Sequence, residues 1–376
     1  MKKNVFKKIV AGAMAVATMA TAVFGMIGCK KDEKTAFMIG GTGPLTGDAA
    51  SYGVSVQNGA TLAVEQINAK GGIQFTFKMM DDQCGAEQAS ANYDVLYDDG
   101  MQLSLGGVTS GAGKAFSTKA NADQIISMSP SASADDVIAN MPYSFRLCFG
   151  DPDQGALAAK AIKDAGYASV GAIYDTSDPY SEGIFTAFKA AMDSYSITVN
   201  TQTFDAESKV DFSTQAEALK NCDVIFMPFY YNEAQLFIKK AVEKGCTGVF
   251  FGCDGFDGIA SYISADITNT IIYSTPFDVN SSEANVKAFV EAYKARFGFE
   301  PDQFAADAYD VVMVFAAALE KAGVTDYNLS AAEISTAVKD AITSGDFSYT
   351  GLTGNNMTWS ADGKCKKDPK FVTING

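Results

Sequence analysis

The feature that most limits how this chain can fold is a regular alternation of strand-like and helix-like segments from residue 36 to residue 254. AFMIGG (36–41) is an apolar run of strand length, and SYGVSVQNGATLAVEQINAK (51–70) spaces its apolar residues like a helix that stops at Gly71-Gly72. QFTFKMM (74–80), AEQASANYDVLYDDG (86–100) and QLSLGG (102–107) continue the series, followed by a helix after GGVTSGAGKA (106–115) and the strand QIISMSP (124–130). A second series begins after Phe145-Arg146-Leu147 with a helix at 155–166, a strand at 168–175 and a helix at 181–195. ITVNTQTF, STQAEALKN, CDVIFMPF, EAQLFIKKAVEKG and GVFFGCD extend it. Parallel strands need long crossovers, and helices of this length supply them, so repeated units imply a parallel sheet covered on both faces. Two series predict an α/β fold of two doubly wound lobes. Beyond Ile271-Ile272-Tyr273 the pattern turns helical (283–297, 303–322, 331–344) and ends in three short strand candidates, FSYTG, NMTWS and KFVTI. A closing strand need not join the lobe nearest in sequence.

The first 28 residues stand outside this pattern. Lys2, Lys3, Lys7 and Lys8 precede an apolar stretch from Ile9 to Ile27, the layout of a secretory leader. Met26-Ile27-Gly28-Cys29 then reads as a lipobox, with Cys29 as the lipidated first residue of the mature chain and KKDEK (30–34) as a solvated tether. A diacylglyceryl cysteine supplies the two chains that lasting attachment requires. Cleavage before Cys29 leaves 348 of the 376 residues, a length that suits two domains better than one core.

Charge and composition exclude several function classes. The chain carries 29 basic and 44 acidic residues, net −15; without the four leader lysines the balance is 25 against 44, or −19. Nothing in such a surface would neutralise phosphates, so nucleic acid is not a partner. There is no histidine, which removes Ser-His-Asp and Cys-His nucleophiles and the usual zinc sites. Apart from Cys29 there are six cysteines, at 84, 148, 222, 246, 253 and 365, with no CxxC pair. An even count outside the cell permits disulfides, and buried thiols fit equally well; Cys222 and Cys246 are the one pair worth considering. No cofactor, metal or catalytic residue is expected.

The glycine-rich GGVTSGAGKA invites a nucleotide reading, and its spacing refuses one. A phosphate loop ending at Gly113-Lys114 would need glycine at 108 and Ser or Thr at 115, where the chain has Val108 and Ala115. A dinucleotide fingerprint from Gly111 fails at Phe116, and GGTGPLTG (40–47) fails at Thr46. The physics of a helix start remains: its N–H groups favour any anion, a carboxylate included. Ser110 and Thr109 add hydroxyls, and a second hydroxyl cluster, Ser131-Ala132-Ser133, follows the next strand. In an open parallel sheet both loops lie at the strand ends where ligands bind. The second lobe offers DTSDPYSEG (175–183), MPFYYNEA (227–234) and FFGCDGFDG (250–258) at its own strand ends. Asp254 there reads either as a turn residue or as the partner of a ligand ammonium, with Tyr180, Phe229 and Tyr230 as covering aromatics or as packing. Anion donors on one lobe and a carboxylate on the other fit a zwitterion held between them.

With these loops in view, the sequence resembles the branched-chain amino-acid binding proteins of ABC importers, the type I periplasmic binding proteins. The resemblance runs through GPLTGDAASYG (43–53), AVEQINAKGGI (63–73), DDQCGAEQA (81–89), MSPSASAD (128–135), SDPYSEG (177–183), DFSTQAEALKNCDVIF (211–226) and FGCDGFDG (251–258), in family order over nearly the whole mature chain. It implies two Rossmann-like lobes joined by three crossovers, placed here near 149, 276 and 363. The implied division is leader 1–28, tether 29–35, first lobe 36–149 with 277–363, and second lobe 150–276 with 364–376. It implies that the loop of Ser110 and the stretch Ser131, Ala132, Ser133 hold the ligand carboxylate. Asp254 and those loops' carbonyls then hold its ammonium. Tyr180 falls on the family's second-lobe tyrosine, Phe229 or Tyr230 on the aromatic after the next strand, and Tyr52 and Phe304 on residues near the ligand's side chain. Departures are Asp254, one methylene shorter than the family's frequent glutamate, and Thr109, which rules out a bridge to Cys84 found in some members. The function implied is capture of a small amino acid, branched-chain by preference, by a monomeric, lipid-anchored extracytoplasmic receptor that serves a membrane ABC permease. A ligand sensor of the same fold for an amide, urea or other small polar solute is the alternative; an enzyme is not expected.

Overall fold

A computed structural model describes residues 33–367 and 369–375. Cys29 and the leader lie outside the described residues. The first half builds β1 (Phe37–Gly43), α1 (Ala50–Lys70), β2 (Phe75–Asp81), α2 (Ala86–Asp98), β3 (Leu103–Gly107), α3 (Ser110–Ala122), β4 (Ser127–Ser129) and β5 (Ser144–Arg146). These strands form one parallel sheet in the order β2-β1-β3-β4-β5. The chain then runs through α4 (Asp151–Ala165), β6 (Val170–Asp175), α5 (Pro179–Ser194), β7 (Val199–Phe204), α6 (Ser213–Leu219), β8 (Val224–Met227), α7 (Tyr231–Glu243), β9 (Val249–Gly252) and β10 (Ile271–Thr275). It returns to the first sheet as α8 (Ala284–Phe297), α9 (Gln303–Ala322) and α10 (Ala331–Ile342), and ends in β11 (Thr358–Trp359), β12 (Cys365–Lys366) and β13 (Lys370–Ile374). The second sheet has the order β13-β10-β9-β8-β6-β7, parallel except for β13, which closes the edge antiparallel to β10. The fold is thus two doubly wound α/β lobes between which the chain passes three times: β5 to α4, β10 to α8, and β12 to β13.

Alternation along each strand explains the layers. In β8, Val224 and Phe226 face α4 and α5, packing with Ile162, Ile184 and Phe188, whereas Ile225 and Met227 face the core shared with Leu219, Phe237 and Ile238. Successive side chains point to opposite faces, so an unbroken apolar run is what a sheet covered twice requires. In the first lobe α9 lies along α1. The helices approach so closely at Gly59 that an added Cβ would stand 2.0 Å from the Ala305 carbonyl oxygen, which only glycine avoids.

Two details depart from the sequence reading, and the cysteines settle a question it left open. The helix expected at 155–166 starts at Asp151, because Pro152 occupies a first-turn position where its missing N–H is no loss. FSYTG forms no strand; only Tyr349 makes an isolated bridge, to Met357. The six described cysteines, Cys222 and Cys246 among them, are free thiols.

The crossovers are tied down from the first lobe. Trp359 Nε1 donates to the Arg146 carbonyl at 3.0 Å, and Arg146 N donates to the Gly363 carbonyl at 3.0 Å. Lys367, its side chain fully buried, pairs with Asp307 of α9 at 3.0 Å and donates to Thr353 Oγ1 at 3.0 Å.

Candidate ligand-binding site

Loops following the carboxyl ends of β1, β3 and β4 in one lobe face those following β6, β8 and β9 in the other. This is where open α/β sheets place ligands. The β3–α3 turn owes its glycines to packing. An added Cβ on Gly107 would lie 2.6 Å from Gly113 Cα, so strand end and helix start meet backbone to backbone. The start of α3, whose first N–H groups have no intrahelical acceptor, thus lies at the cavity lined by Val108, Thr109 and Ser110.

The hydroxyls beside them hold the loops together. Ser129 Oγ donates to the Gly107 carbonyl at 2.7 Å and accepts from Ala132 N at 2.8 Å. Ser131 Oγ donates to the Val108 carbonyl at 2.7 Å, and Ser110 Oγ accepts from Ala134 N at 3.2 Å. The serines therefore stitch the two loops into one ledge. Thr109, at the N-cap of α3, makes no capping bond, and its Oγ1 is buried without a partner.

The opposite wall carries the charge. Asp254 is 5 % exposed in a single-turn helix after β9. Its Oδ1 accepts from Tyr180 Oη at 2.6 Å, and that oxygen accepts in turn from Gly255 N at 2.9 Å. Burial is the main influence on the carboxyl and pushes it up to about 6, against the downward pull of the Tyr180 bond. Two glutamines clamp the turn: Gln154 Oε1 accepts from Asp254 N at 3.1 Å, and Gln303 Nε2 donates to the Asp254 carbonyl at 2.6 Å. Gln303 belongs to the first lobe's α9, so the bond crosses between lobes.

Aromatic rings complete the enclosure. Tyr230 stacks on Tyr180 with centroids 5.0 Å apart, and Tyr52 lies against Phe304 at 4.2 Å. Tyr52 Oη donates to the Gly255 carbonyl and accepts from Tyr231 N at 3.1 Å, bonding directly across the cleft. Tyr231 Oη donates to the Asp48 carbonyl at 2.8 Å. At the centre Tyr52, Thr109, Ser110, Ser131, Tyr180, Tyr230, Asp254 and Phe304 surround only about 10 Å³ of free space. A solute larger than a water molecule fits only if the lobes part.

Of the residues singled out from sequence, Tyr52, Ser110, Ser131, Tyr180, Tyr230, Asp254 and Phe304 line this one cavity. Ala132, Ser133 and Phe229 do not. Ala132 packs toward Gly113, and the Ser133 carbonyl accepts from Arg146 Nη1 at 2.6 Å. The Phe229 ring packs edge-on against Phe204 at 5.0 Å and borders a separate chamber of about 410 Å³ with Asp48, Asp178 and Glu233. Sequence reasoning did not single out Val108, Gly255, Gln154 or Gln303; the two glutamines act through contacts 49 to 100 residues away, which no local pattern announces. A roomier cavity of about 630 Å³ behind the crossovers contains none of the serine loops nor Asp254, so volume alone would misplace the site.

Known proteins resemble this chain in sequence and fold. Residues 37–376 match the family described as periplasmic binding protein. A Leu/Ile/Val-binding protein of Rhizobium johnstonii is 29% identical over 80% of this chain and 83% of its own length. A leucine-, isoleucine-, valine-, threonine- and alanine-binding protein of Pseudomonas aeruginosa is 29% identical over 82% and 84%. Among solved structures, the branched-chain amino-acid transporter substrate-binding protein of Streptococcus pneumoniae in complex with isoleucine superposes with a TM-score of 0.79 at 28% identity, covering 90% of this chain and 96% of that one. These relatives are binding proteins and not enzymes. Fold, strand-end site and sequence match agree that the chain belongs to the periplasmic binding protein family, with the two-lobed type I architecture.

Proposed function

We propose that the protein is an extracytoplasmic receptor that captures a small amino acid between its lobes, branched-chain by preference, and hands it to an ABC importer. The supporting observation is the convergence of two unlike half-sites on one enclosed cavity: a helix start and serine ledge from the first lobe, and the buried Asp254 from the second. The ledge binds the ligand carboxylate through backbone N–H groups. Asp254, oriented by Tyr180, pairs with the ammonium. Tyr52, Tyr230 and Phe304 enclose the side chain, which accords with an aliphatic amino acid. The three crossovers serve as the hinge. Relatives that bear Leu/Ile/Val-binding names support the choice of ligand.

In this reading Cys29 carries the lipid anchor that holds the receptor at the outer face of the membrane beside its permease, and the receptor acts as a monomer. Cys29→Ala is expected to release it from membrane fractions. A thermal-shift screen over the twenty amino acids tests the ligand class, because a ligand that binds only the native state raises the melting temperature. The expected result is a rise with leucine, isoleucine or valine. A screen in which no amino acid raises the melting temperature would sink the reading.

A further inference from the structure

The cavity behind the crossovers takes no part in holding an amino acid, yet it has the size and lining of a ligand site. Its volume of about 630 Å³ falls within the ~300–1,000 Å³ usual for small-molecule pockets. Both lobes build it. Leu157 and Gln154 come from α4 of the second lobe, Ile342, Phe347 and Trp359 from the first, and Phe149 lies on the first passage between them.

The lining pairs an apolar wall with a basic rim. Phe149, Ile342, Phe347 and Trp359 are all buried, and Leu157 is half-buried. In a chain of net charge −15, Lys364, Lys366 and Lys367 meet at this one place, and Asp153 is the one acid among the described residues that line it. Lys367 is already neutralised by Asp307 at 3.0 Å. Lys364 shares Asp362 at 3.5 Å, with both side chains about half exposed, and such a pair contributes little. Lys366 is exposed and has no ion-pair partner among the described residues. Two ammonium groups with charge to spare beside aromatic and aliphatic side chains suit an anion that carries an apolar body.

The cavity also touches the machinery of the cleft. Gln154 belongs to its wall, and Gln154 Oε1 accepts from Asp254 N at 3.1 Å and from Ser274 Oγ at 3.4 Å. The cleft holds only about 10 Å³ of free space, so this is the shape the cavity has when the lobes are closed. A ligand that touches both lobes here favours the closed arrangement over any other.

We infer that this cavity is a second ligand site, for an alkyl or aryl carboxylate, and that its occupant strengthens amino-acid binding by holding the lobes closed. The coupling rests on the amino-acid reading; the site itself does not.

Calorimetric titration with octanoate, and with octylamine as the cationic control, tests the site. Trp359 is the chain's single tryptophan, so its emission reports occupancy directly. Octanoate is expected to bind and change that emission, and octylamine is not. Leu157→Tyr, which fills the cavity from a half-buried position, and the double reversal Lys364→Glu/Lys366→Glu on the exposed rim should each weaken octanoate about tenfold or more. Both should keep the wild-type affinity for L-leucine measured without octanoate. Saturating octanoate should tighten leucine binding to the wild-type protein about fivefold or more, and leucine should tighten octanoate by the same factor. No octanoate binding, equal binding of octylamine, or octanoate affinity unchanged in both variants overturns the site. Octanoate binding lost in the variants but without effect on leucine overturns the coupling. A wild-type protein that binds octanoate but none of the twenty amino acids overturns the amino-acid reading and leaves the site standing.

Discussion

The two walls of the cleft are built on opposite plans. On the first lobe the serine side chains are spent on neighbouring backbone, Ser129 on Gly107, Ser131 on Val108 and Ser110 on Ala134, so the wall is stiff and nearly neutral, and what it offers is N–H groups at a helix start. On the second lobe a carboxyl is buried at a cost, steadied by one tyrosine and two glutamines and shifted toward its neutral form. A stiff dipolar wall binds its half of a ligand with little charge to desolvate. A buried charged wall depends on its partner. Losses at the second wall should therefore be large and specific to the ligand, and losses at the first should be spread over backbone that no single side chain removes.

The sharpest break comes from Asp254→Ala. Stranding the ligand ammonium costs roughly 2–5 kcal/mol, so leucine binding measured by calorimetry should weaken about 30-fold or more. The ligand-free melting temperature should change little. Tyr180→Phe ranks next: it removes the donor to Asp254 and leaves Gly255 N buried and unpaired, at about 1–3 kcal/mol, or roughly tenfold in affinity. Equal affinity in this variant would mean that Asp254 is oriented by other contacts.

Acidification should move affinity and stability in opposite directions. Below about pH 6 protonation of Asp254 removes the ammonium partner, and leucine affinity falls. Asp82, Asp254 and Asp310 each sit at about 6, raised by burial above the unfolded carboxyl near 3.8. The native state therefore binds more protons than the unfolded chain between those values. Their contribution to stability is complete below the unfolded value and is lost as pH rises through 6. The ligand-free melting temperature should accordingly rise from pH 7.5 to about pH 5, above the range where the chain's stabilised carboxylates begin to protonate. A parallel fall of both would contradict the assignment.

The smallest effect is expected at the rim. Lys209 reaches Glu233 at 3.3 Å and, across the cleft, Asp48 at 3.8 Å, with its side chain 37% exposed. Exposed pairs contribute about 0–1 kcal/mol, so Lys209→Ala should shift leucine affinity by no more than about fivefold and lose most of that effect in high salt.

The contrast between the walls also explains what could be read from sequence. Strand ends and glycine-rich turns are local, so the loops of Ser110, Ser131 and Asp254 were legible, as was the failure of the phosphate-loop spacing. Which atom of a loop does the work was not. Ser110 and Ser131 look like hydroxyl donors in sequence, but the fold turns them inward onto a carbonyl and a neighbouring N–H group. Phe229 and Tyr230 are adjacent, and only the end of β8 decides that Tyr230 points into the cleft while Phe229 packs on Phe204. Gln154 and Gln303 carry no local signature; their role comes from long-range contacts around the hinge. FSYTG has strand composition but finds no sheet edge to pair with.

Ligand analogues test the two-walled account most directly, because they remove one half of the zwitterion without touching the protein. Calorimetry should compare L-leucine with 4-methylpentanoate, which lacks the ammonium, and 3-methylbutylamine, which lacks the carboxylate. The account predicts that leucine binds and that each analogue binds at least about 30-fold more weakly, since each strands one wall without its partner. If 4-methylpentanoate bound as tightly as leucine, Asp254 would have no ammonium to hold, and the account would be contradicted.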